Sequence, residues 1–217
     1  MNVYTYYEPL GINDAEPLIP LWTKIWKQAG FKPVVLDLND VFDQYNKDFF
    51  HLFQERVSRY PTVNPDGYDL ACYVRWFAFH TRLINYHADR DKSLMVDLDV
   101  FPSGLTPDTL FTGLNVFLDP NWVPCAVASN FLGSRLLLDA LMEGPAIANI
   151  NGREHTSDMH IFQERAWRIA NKHPLCSEYD GTGLYASKQD PTRSLTHFPH
   201  ARTGPNKVEA VKKFLLP

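Results

Sequence analysis

Cysteine is scarce: Cys72, Cys125 and Cys176 are the only three, far apart and with no CxxC among them. That excludes a disulfide framework and the usual zinc-binding spacings, and it predicts a reduced, intracellular protein. Long apolar runs are missing as well. No stretch approaches the ~20 residues that a membrane-spanning helix needs. Met1 to Pro9 lacks the basic-then-apolar layout of a secretory leader, so the expectation is a soluble, cytoplasmic chain. The motifs GxGxxG, P-loop, GxSxG and HExxH are absent too, which removes the commonest dehydrogenases, NTPases, esterases and metalloproteases. Positive charge is in deficit: 21 Lys and Arg against 25 Asp and Glu leave −4 at neutral pH. That balance argues against broad electrostatic binding of nucleic acid.

What is present is ordinary in amount and uneven in placement. The 217 residues, 45% hydrophobic and 21% charged, fit one globular domain and exclude a disordered chain, a fibrous repeat or a coiled coil. Near the C-terminus Lys188, Arg193, Arg202, Lys207, Lys212 and Lys213 stand against only Asp190 and Glu209. A basic end on an acidic body either faces a phosphate-bearing ligand or is a solvated tail.

The first half alternates strand and helix. Val3 to Tyr7 is β-branched and aromatic and predicts a strand. Asp14 can cap a helix whose apolar positions are Leu18, Leu21, Trp22, Ile25 and Ala29, closed by Gly30. Val34 to Leu36 predicts a second strand, and the βαβ order implies a parallel sheet with helices on its faces. Val41 to Arg59 reads as helical. Asp66 can cap a long helix to about His87, and Leu94 to Val96 is a short apolar strand. The second half is less regular. It predicts a strand at Val123–Ala128, helices at Ser134–Glu143, from Thr156 to about Asn171 and at Asn206–Leu216, and a strand at Leu184–Ala186.

Four places could carry chemistry. Asp97 and Asp99 follow the apolar strand one residue apart, which sets two carboxylates at the carboxyl edge of a parallel sheet, where ligands bind. Carboxylates this close repel unless one is protonated or a cation bridges them. A hard divalent ion, Mg²⁺ or Mn²⁺, is the usual bridge and normally also holds a substrate phosphate. Asp-x-Asp is otherwise a common chance pattern. Arg75 lies on a helix apolar nearly all round, so it needs a partner. That partner is either Asp69 or another acid in a structural ion pair, or the bound phosphate and the Asp97/Asp99 pair. His197 and His200 sit in Leu195–Arg202, where Pro199 argues for a loop; a single imidazole completing the carboxylate site is the functional reading, with Arg202 and Lys207 neutralising a diphosphate. Asp158 begins a helix and is explained either by capping or by catalysis.

Together these pieces resemble nucleotide-sugar glycosyltransferases of the GT-A fold, within it the DxD-containing mannosyltransferase-like group of bacterial and phage enzymes. The resemblance is carried by Tyr4–Tyr7, Tyr68 with Arg75-Trp76, Val96-Asp97-Leu98-Asp99-Val100, Ser157-Asp158 and Thr196-His197-Phe198. Where relatives have Gly-Gly before the metal strand, this chain has Asp89 to Ser93. The resemblance implies a mostly parallel α/β sheet flanked by helices, with a loop-rich C-terminal half. It implies one domain over residues 1–217, with 1–102 binding nucleotide and 103–217 supplying the acceptor side and a metal-completing loop. Thr5, Tyr6 and Tyr7 would line the nucleotide pocket. Asp97 would approach the ribose and the metal, Asp99 would bind Mn²⁺ or Mg²⁺, and His197 or His200 would add a ligand. Arg75 would orient the donor sugar or the aspartates, and Asp158 would sit near the acceptor or anomeric carbon.

The expected activity is sugar transfer from a UDP- or GDP-sugar to a glycan, a small molecule or a phage-modified DNA base, DNA being the disfavoured acceptor. Two rivals remain at this stage: a nucleotide-sugar-binding module without turnover, and a metal-dependent phosphoryl-transfer or nuclease-type enzyme built on Asp97, Asp99 and Asp158.

Overall fold

Val3, Tyr4 and Thr5 form the buried middle of strand β1 (Asn2–Tyr6), as β-branched and aromatic residues should. Leu18, Leu21, Trp22, Ile25 and Trp26 are the buried stripe of helix α1 (Leu18–Gln28). Gly30, at φ 88°, turns the chain out of that helix in a conformation that side chains rarely adopt. Strand β2 (Lys32–Leu36) follows, and Pro33 is tolerated in it because β2 is an edge strand. A short 3₁₀ turn (Leu38–Val41), α2 (Lys47–Val57) and α3 (Tyr68–Asn85) lead to β3 (Ser93–Val96). Then come β4 (Val100–Pro102), β5 (Asn115–Leu118), β6 (Pro124–Ser129), α4 (Phe131–Asn151) and α5 (Asp158–Ile161). The chain ends through β7 (Asn171–His173), β8 (Cys176–Glu178), β9 (Leu195–His197) and α6 (Lys207–Leu215). This computed structural model describes residues 1–10, 15–42, 46–64, 67–85, 93–109, 111, 113–118, 124–152, 154–166, 171–173, 176–178, 194–198 and 207–215. The expected caps Asp14 and Asp66 and the expected strand at Leu184–Ala186 lie outside them.

The main sheet has six strands in the order β2-β1-β3-β6-β5-β7, and a smaller one runs β4-β9-β8. Strands β2, β1 and β3 are mutually parallel, β7 is parallel to β5, and β6 is antiparallel to both its neighbours. Helices cover both faces, which explains why β3 is buried at every position instead of alternating. Side chains of β1 and β3 still divide between two cores. Val3, Leu94 and Val96 join Trp22 and Trp26 of α1, while Tyr4 and Met95 join Phe53, Phe77 and Leu138 of α2, α3 and α4. Both α1 tryptophans are fully buried, so truncating either should cost about 3–5 kcal/mol. Among the described residues, no helix is long and apolar enough to cross a membrane.

Three expectations change in detail. The helix expected from Thr156 to about Asn171 begins as α5 (Asp158–Ile161) and continues in a wider π winding over Phe162–Ala166; residues 167–170 lie outside the described ones, and Asn171 begins β7. Ile161 and Phe162 are adjacent in sequence yet both buried, and a widened turn lets both reach the core. Helix α4 is longer than Ser134–Glu143. Asn130 caps it by accepting from the Gly133 N–H at 3.0 Å, and Gly152 closes it in the left-handed region at φ 59°. Leu195–His197, expected in a loop because of Pro199, is strand β9, paired antiparallel with β4. The described strand stops before Pro199, so the proline deprives no ladder position of a donor.

Candidate active site

Strand β3 delivers Asp97 and Asp99 to the carboxyl edge of the sheet. The backbone is held tightly there: the Asp97 N–H donates to the Cys125 carbonyl of β6 at 3.1 Å, and the Val100 N–H closes a turn on the Asp97 carbonyl at 3.0 Å. On the far side, the Trp26 indole donates to the Val100 carbonyl at 3.2 Å. The turn feeds directly into β4, whose Val100 pairs with His197 of β9, and the Phe198 N–H donates to the Asp99 carbonyl at 3.0 Å. That pairing carries His197 to the two aspartates. Its Nε2 is 3.6 Å from Asp99 Oδ1. One ligand atom from each of Asp97, Asp99 and His197 lies within 4.8 Å of the others. Two carboxylate oxygens and an imidazole nitrogen, converging this closely at a sheet edge, fit a divalent cation.

Arg75 faces the same cluster from α3. One guanidinium nitrogen donates to Asp97 Oδ1 and the other to Asp158 Oδ2, the latter at 2.7 Å. The arginine therefore lies between two carboxylates, only 14% exposed. Burial pulls its pKa down, but the facing charges of Asp158 and Asp97 outweigh that and the net shift is upward. Burial pushes the Asp97 carboxyl above the usual carboxylate range; Arg75 opposes the shift and Asp99 adds to it. A carboxylate beside a like charge at a buried edge is strained in the electrostatic sense, and a cation would relieve it. Asp69 is not the partner of Arg75. It accepts from Thr62 and from Asn64, the latter at 2.9 Å, and faces His155 at 3.3 Å.

Asp158 is more than a cap. Ser157 performs that role, its hydroxyl accepting from the His160 N–H at 3.4 Å. The Asp158 carboxylate is 1% exposed and accepts from Arg75, from the Trp76 indole at 2.7 Å and from the Met159 N–H at 2.9 Å. The loop that presents it is tied to α3 and to the segment before it: the Tyr73 hydroxyl donates to the Thr156 carbonyl at 2.8 Å, and the Thr156 N–H to the Pro61 carbonyl at 2.9 Å.

At the neighbouring end of β1, Thr5 is fully buried with its hydroxyl unpartnered among the described residues. The Tyr6 phenol donates to Glu8 at 2.9 Å, and burial, then Glu8, drive its pKa up. The Tyr7 N–H donates to the Leu36 carbonyl at 2.9 Å. Since β1 and β3 are parallel and in register, Thr5–Tyr7 and Asp97 leave the sheet at the same edge. The structure thus brings together Asp97, Asp99, His197, Arg75 and Asp158. His200 and Arg202 lie outside the described residues, and Lys207 is known only as the first residue of α6. Sequence reasoning placed Trp76 on the apolar stripe and missed it as a donor. The available signal was an indole directly beside a buried arginine.

No protein-family model matches this chain, and no curated protein matches it. Solved structures do. A glycosyltransferase involved in glycosylation of the major capsid of PBCV-1 superposes with a TM-score of 0.55 at 9% identity, over 98% of both chains. An active-site mutant of LgtC gives 0.54 at 12% identity, over 98% of this chain and 94% of that one. Mouse xyloside xylosyltransferase 1, in its apo form, gives 0.52 at 11% identity, over 94% and 99%. At these identities the likeness is one of architecture: the chain has a GT-A-like fold, a mixed and mostly parallel sheet flanked by helices.

Proposed function

We propose that this protein is a metal-dependent glycosyltransferase that moves a sugar from a nucleoside-diphosphate donor, UDP- or GDP-linked, to a hydroxyl-bearing acceptor, and that it belongs to the DxD-containing mannosyltransferase-like group. The observation that carries the reading is the convergence of Asp97, Asp99 and His197 within 4.8 Å at the carboxyl edge of a GT-A-like sheet. Asp97, Asp99 and His197, or His200 in its place, would hold Mn²⁺ or Mg²⁺. Such an ion supplies positive charge to the diphosphate leaving group.

The chain's own residues do the rest. Thr5, Tyr6 and Tyr7 line the nucleotide, with Asp97 toward the ribose. Arg75, a permanent cation aimed across the site, orients the donor sugar and the aspartates, and Asp158 is the candidate nearest the acceptor or anomeric carbon. Arg202 and Lys207 add charge against the diphosphate. Residues 1–102 form the nucleotide half of a single domain, and 103–217 the acceptor side. Cys72 and Cys125, neither of them in a disulfide, fit a reducing, cytoplasmic setting. The acceptor is a glycan, a small molecule or, less favoured by the net charge of −4, a DNA base. A phosphoryl-transfer enzyme using Asp97, Asp99 and Asp158 as ligands fits less well, because Arg75, Trp76 and Met159 already occupy the Asp158 carboxylate.

A thermal-shift screen of UDP, GDP, CDP, ADP and dTDP, each with and without Mn²⁺, tests the reading. A nucleotide at about 100 times its Kd adds about 2.7 kcal/mol, or ~5–10 °C for a domain of this size. One nucleotide should stabilise only with metal, and Asp99→Ala should abolish the shift. No shift with any nucleotide, or an unchanged shift in Asp99→Ala, would remove the basis for the assignment.

A further inference from the structure

Every hydrogen-bonding capacity of the Asp158 carboxylate that faces α3 is taken by two consecutive residues of that helix. Oδ2 accepts from Arg75 Nη2 and from Trp76 Nε1, both at 2.7 Å, while Oδ1 accepts from the Met159 N–H at 2.9 Å. The Trp76 side of this arrangement is rigid. The residue is 3% exposed, its ring meets Phe162 edge-on at 4.9 Å between centroids, and the Arg75 guanidinium lies over its face at 4.8 Å. Arg75 is less constrained: its Nε is buried without a partner among the described residues, so its placement depends on the carboxylates at its two ends.

We propose that Trp76 is a positioning residue of the metal and donor site. Its indole N–H pins Asp158, and the pinned carboxylate holds one end of Arg75 away from Asp97. The physical reason is competition. A guanidinium shared between Asp158 and Asp97 leaves part of the Asp97 charge for a cation, whereas one that loses its grip on Asp158 pairs fully with Asp97 and neutralises it. Trp76 therefore acts at two removes from Asp97, through Asp158 and Arg75; loss of a partner bonded directly to a metal ligand typically costs about 10–100-fold in metal affinity, and the low end of that range is the expectation here. The proposal rests on the metal-and-donor reading above.

The test measures Mn²⁺ affinity of the whole chain by loss of the free-ion EPR signal, with and without the nucleotide found by the thermal screen. Trp76→Phe keeps an aromatic ring against Phe162 and removes the indole N–H together with the second ring. It should weaken Mn²⁺ binding about 10-fold, and so should Asp158→Asn, which keeps an acceptor and removes the charge. The double variant should bind no more weakly than Asp158→Asn alone, since both changes break one chain of contacts. Phe162→Leu perturbs the same ring packing without touching the N–H and should leave Mn²⁺ affinity unchanged. Should Trp76→Phe not fold, 3-benzothienylalanine at position 76 keeps both rings and replaces N–H by sulfur. Wild-type affinity in the donor-deleted protein, additive effects in the double variant, or an equal loss in Phe162→Leu would each overturn the positioning role while leaving the metal site standing. A wild type that binds no Mn²⁺ under any condition would instead sink the functional reading, and this proposal with it.

Discussion

Removing Arg75 is the most informative single perturbation of this molecule. Arg75→Met keeps the unbranched stem beside Trp76 and deletes the side chain that, among the described residues, bridges Asp97 and Asp158. Breaking a buried ion pair from one side costs about 3–5 kcal/mol, because it leaves a charge behind. The two carboxylates left here differ. Asp97 is 22% exposed and can recover some hydration, while Asp158 at 1% cannot. The Trp76 and Met159 donors remain on Asp158 and soften its loss. Both considerations favour the lower end, about 3 kcal/mol, equivalent to ~6–12 °C in Tm for a chain of this length. Urea denaturation of the metal-free protein near neutral pH reads it directly. Adding Asp158→Asn to Arg75→Met should recover stability, with a coupling of about 1 kcal/mol or more, because it removes the stranded charge while keeping an acceptor for the indole. A cost below about 1 kcal/mol for Arg75→Met, or a double variant as unstable as the sum of its parts, would refute the picture of a buried cation shared by two acids.

Three further outcomes follow from other parts of the structure. Burial, with Arg135 adding to it, lowers the His80 pKa from 6.5 to about 4. The folded state thus holds this imidazole neutral while the unfolded chain protonates it. Its contribution is fully present above pH 6.5 and is lost as pH falls toward 4, about 3 kcal/mol in all. In urea titrations between about pH 7.5 and 4.5, His80→Gln should flatten the acid-side loss of stability; parallel wild-type and variant curves would count against it. Gly144→Ala would gain about 1 kcal/mol of helix propensity in α4 on an exposed face. Here the added Cβ meets Ile161 Cδ1 and the Tyr60 hydroxyl oxygen, each at 2.5 Å. Tyr60 cannot yield freely, since its hydroxyl donates to the Leu141 carbonyl. A net loss of about 1–2 kcal/mol should result, and a stabilised variant would show that α4 and α5 are not packed this closely. Tyr73→Phe should cost about 1–2 kcal/mol by stranding the Thr156 carbonyl, visible as a lower urea midpoint; an unchanged midpoint would mean that this tie does not hold the Asp158 loop.

Much of the first half was legible because its signals are local. The apolar spacing of Leu18, Leu21, Trp22 and Ile25, the glycine at position 30 and the apolar Leu94–Val96 leading into two aspartates each specify an element from neighbouring residues alone. The change from α to π winding after Ile161 was not legible, because it is set by where Ile161 and Phe162 meet the core. Strand β9 was read as loop for a similar reason: three residues carry little periodicity, and Leu195–His197 becomes a strand only because β4 offers it a partner.

The candidate site divides along the same line. From sequence alone came the strand-end carboxylates, the need of a buried arginine for an acid, and a late histidine as a possible third ligand. Which acid Arg75 meets, and that His197 reaches Asp99, was decided by tertiary structure. Asp158 is 83 residues from Arg75 and is brought to it by the packing of α5 on α3, and His197 reaches Asp99 through the pairing of β9 with β4. Periodicity and caps report interactions a few residues apart, so they specify elements and name candidates. Contacts across such separations form only when hydrophobic faces on both sides of the sheet are buried together, and that burial brings Arg75, Asp97 and Asp158 to one edge, where the buried guanidinium and the two carboxylates pair.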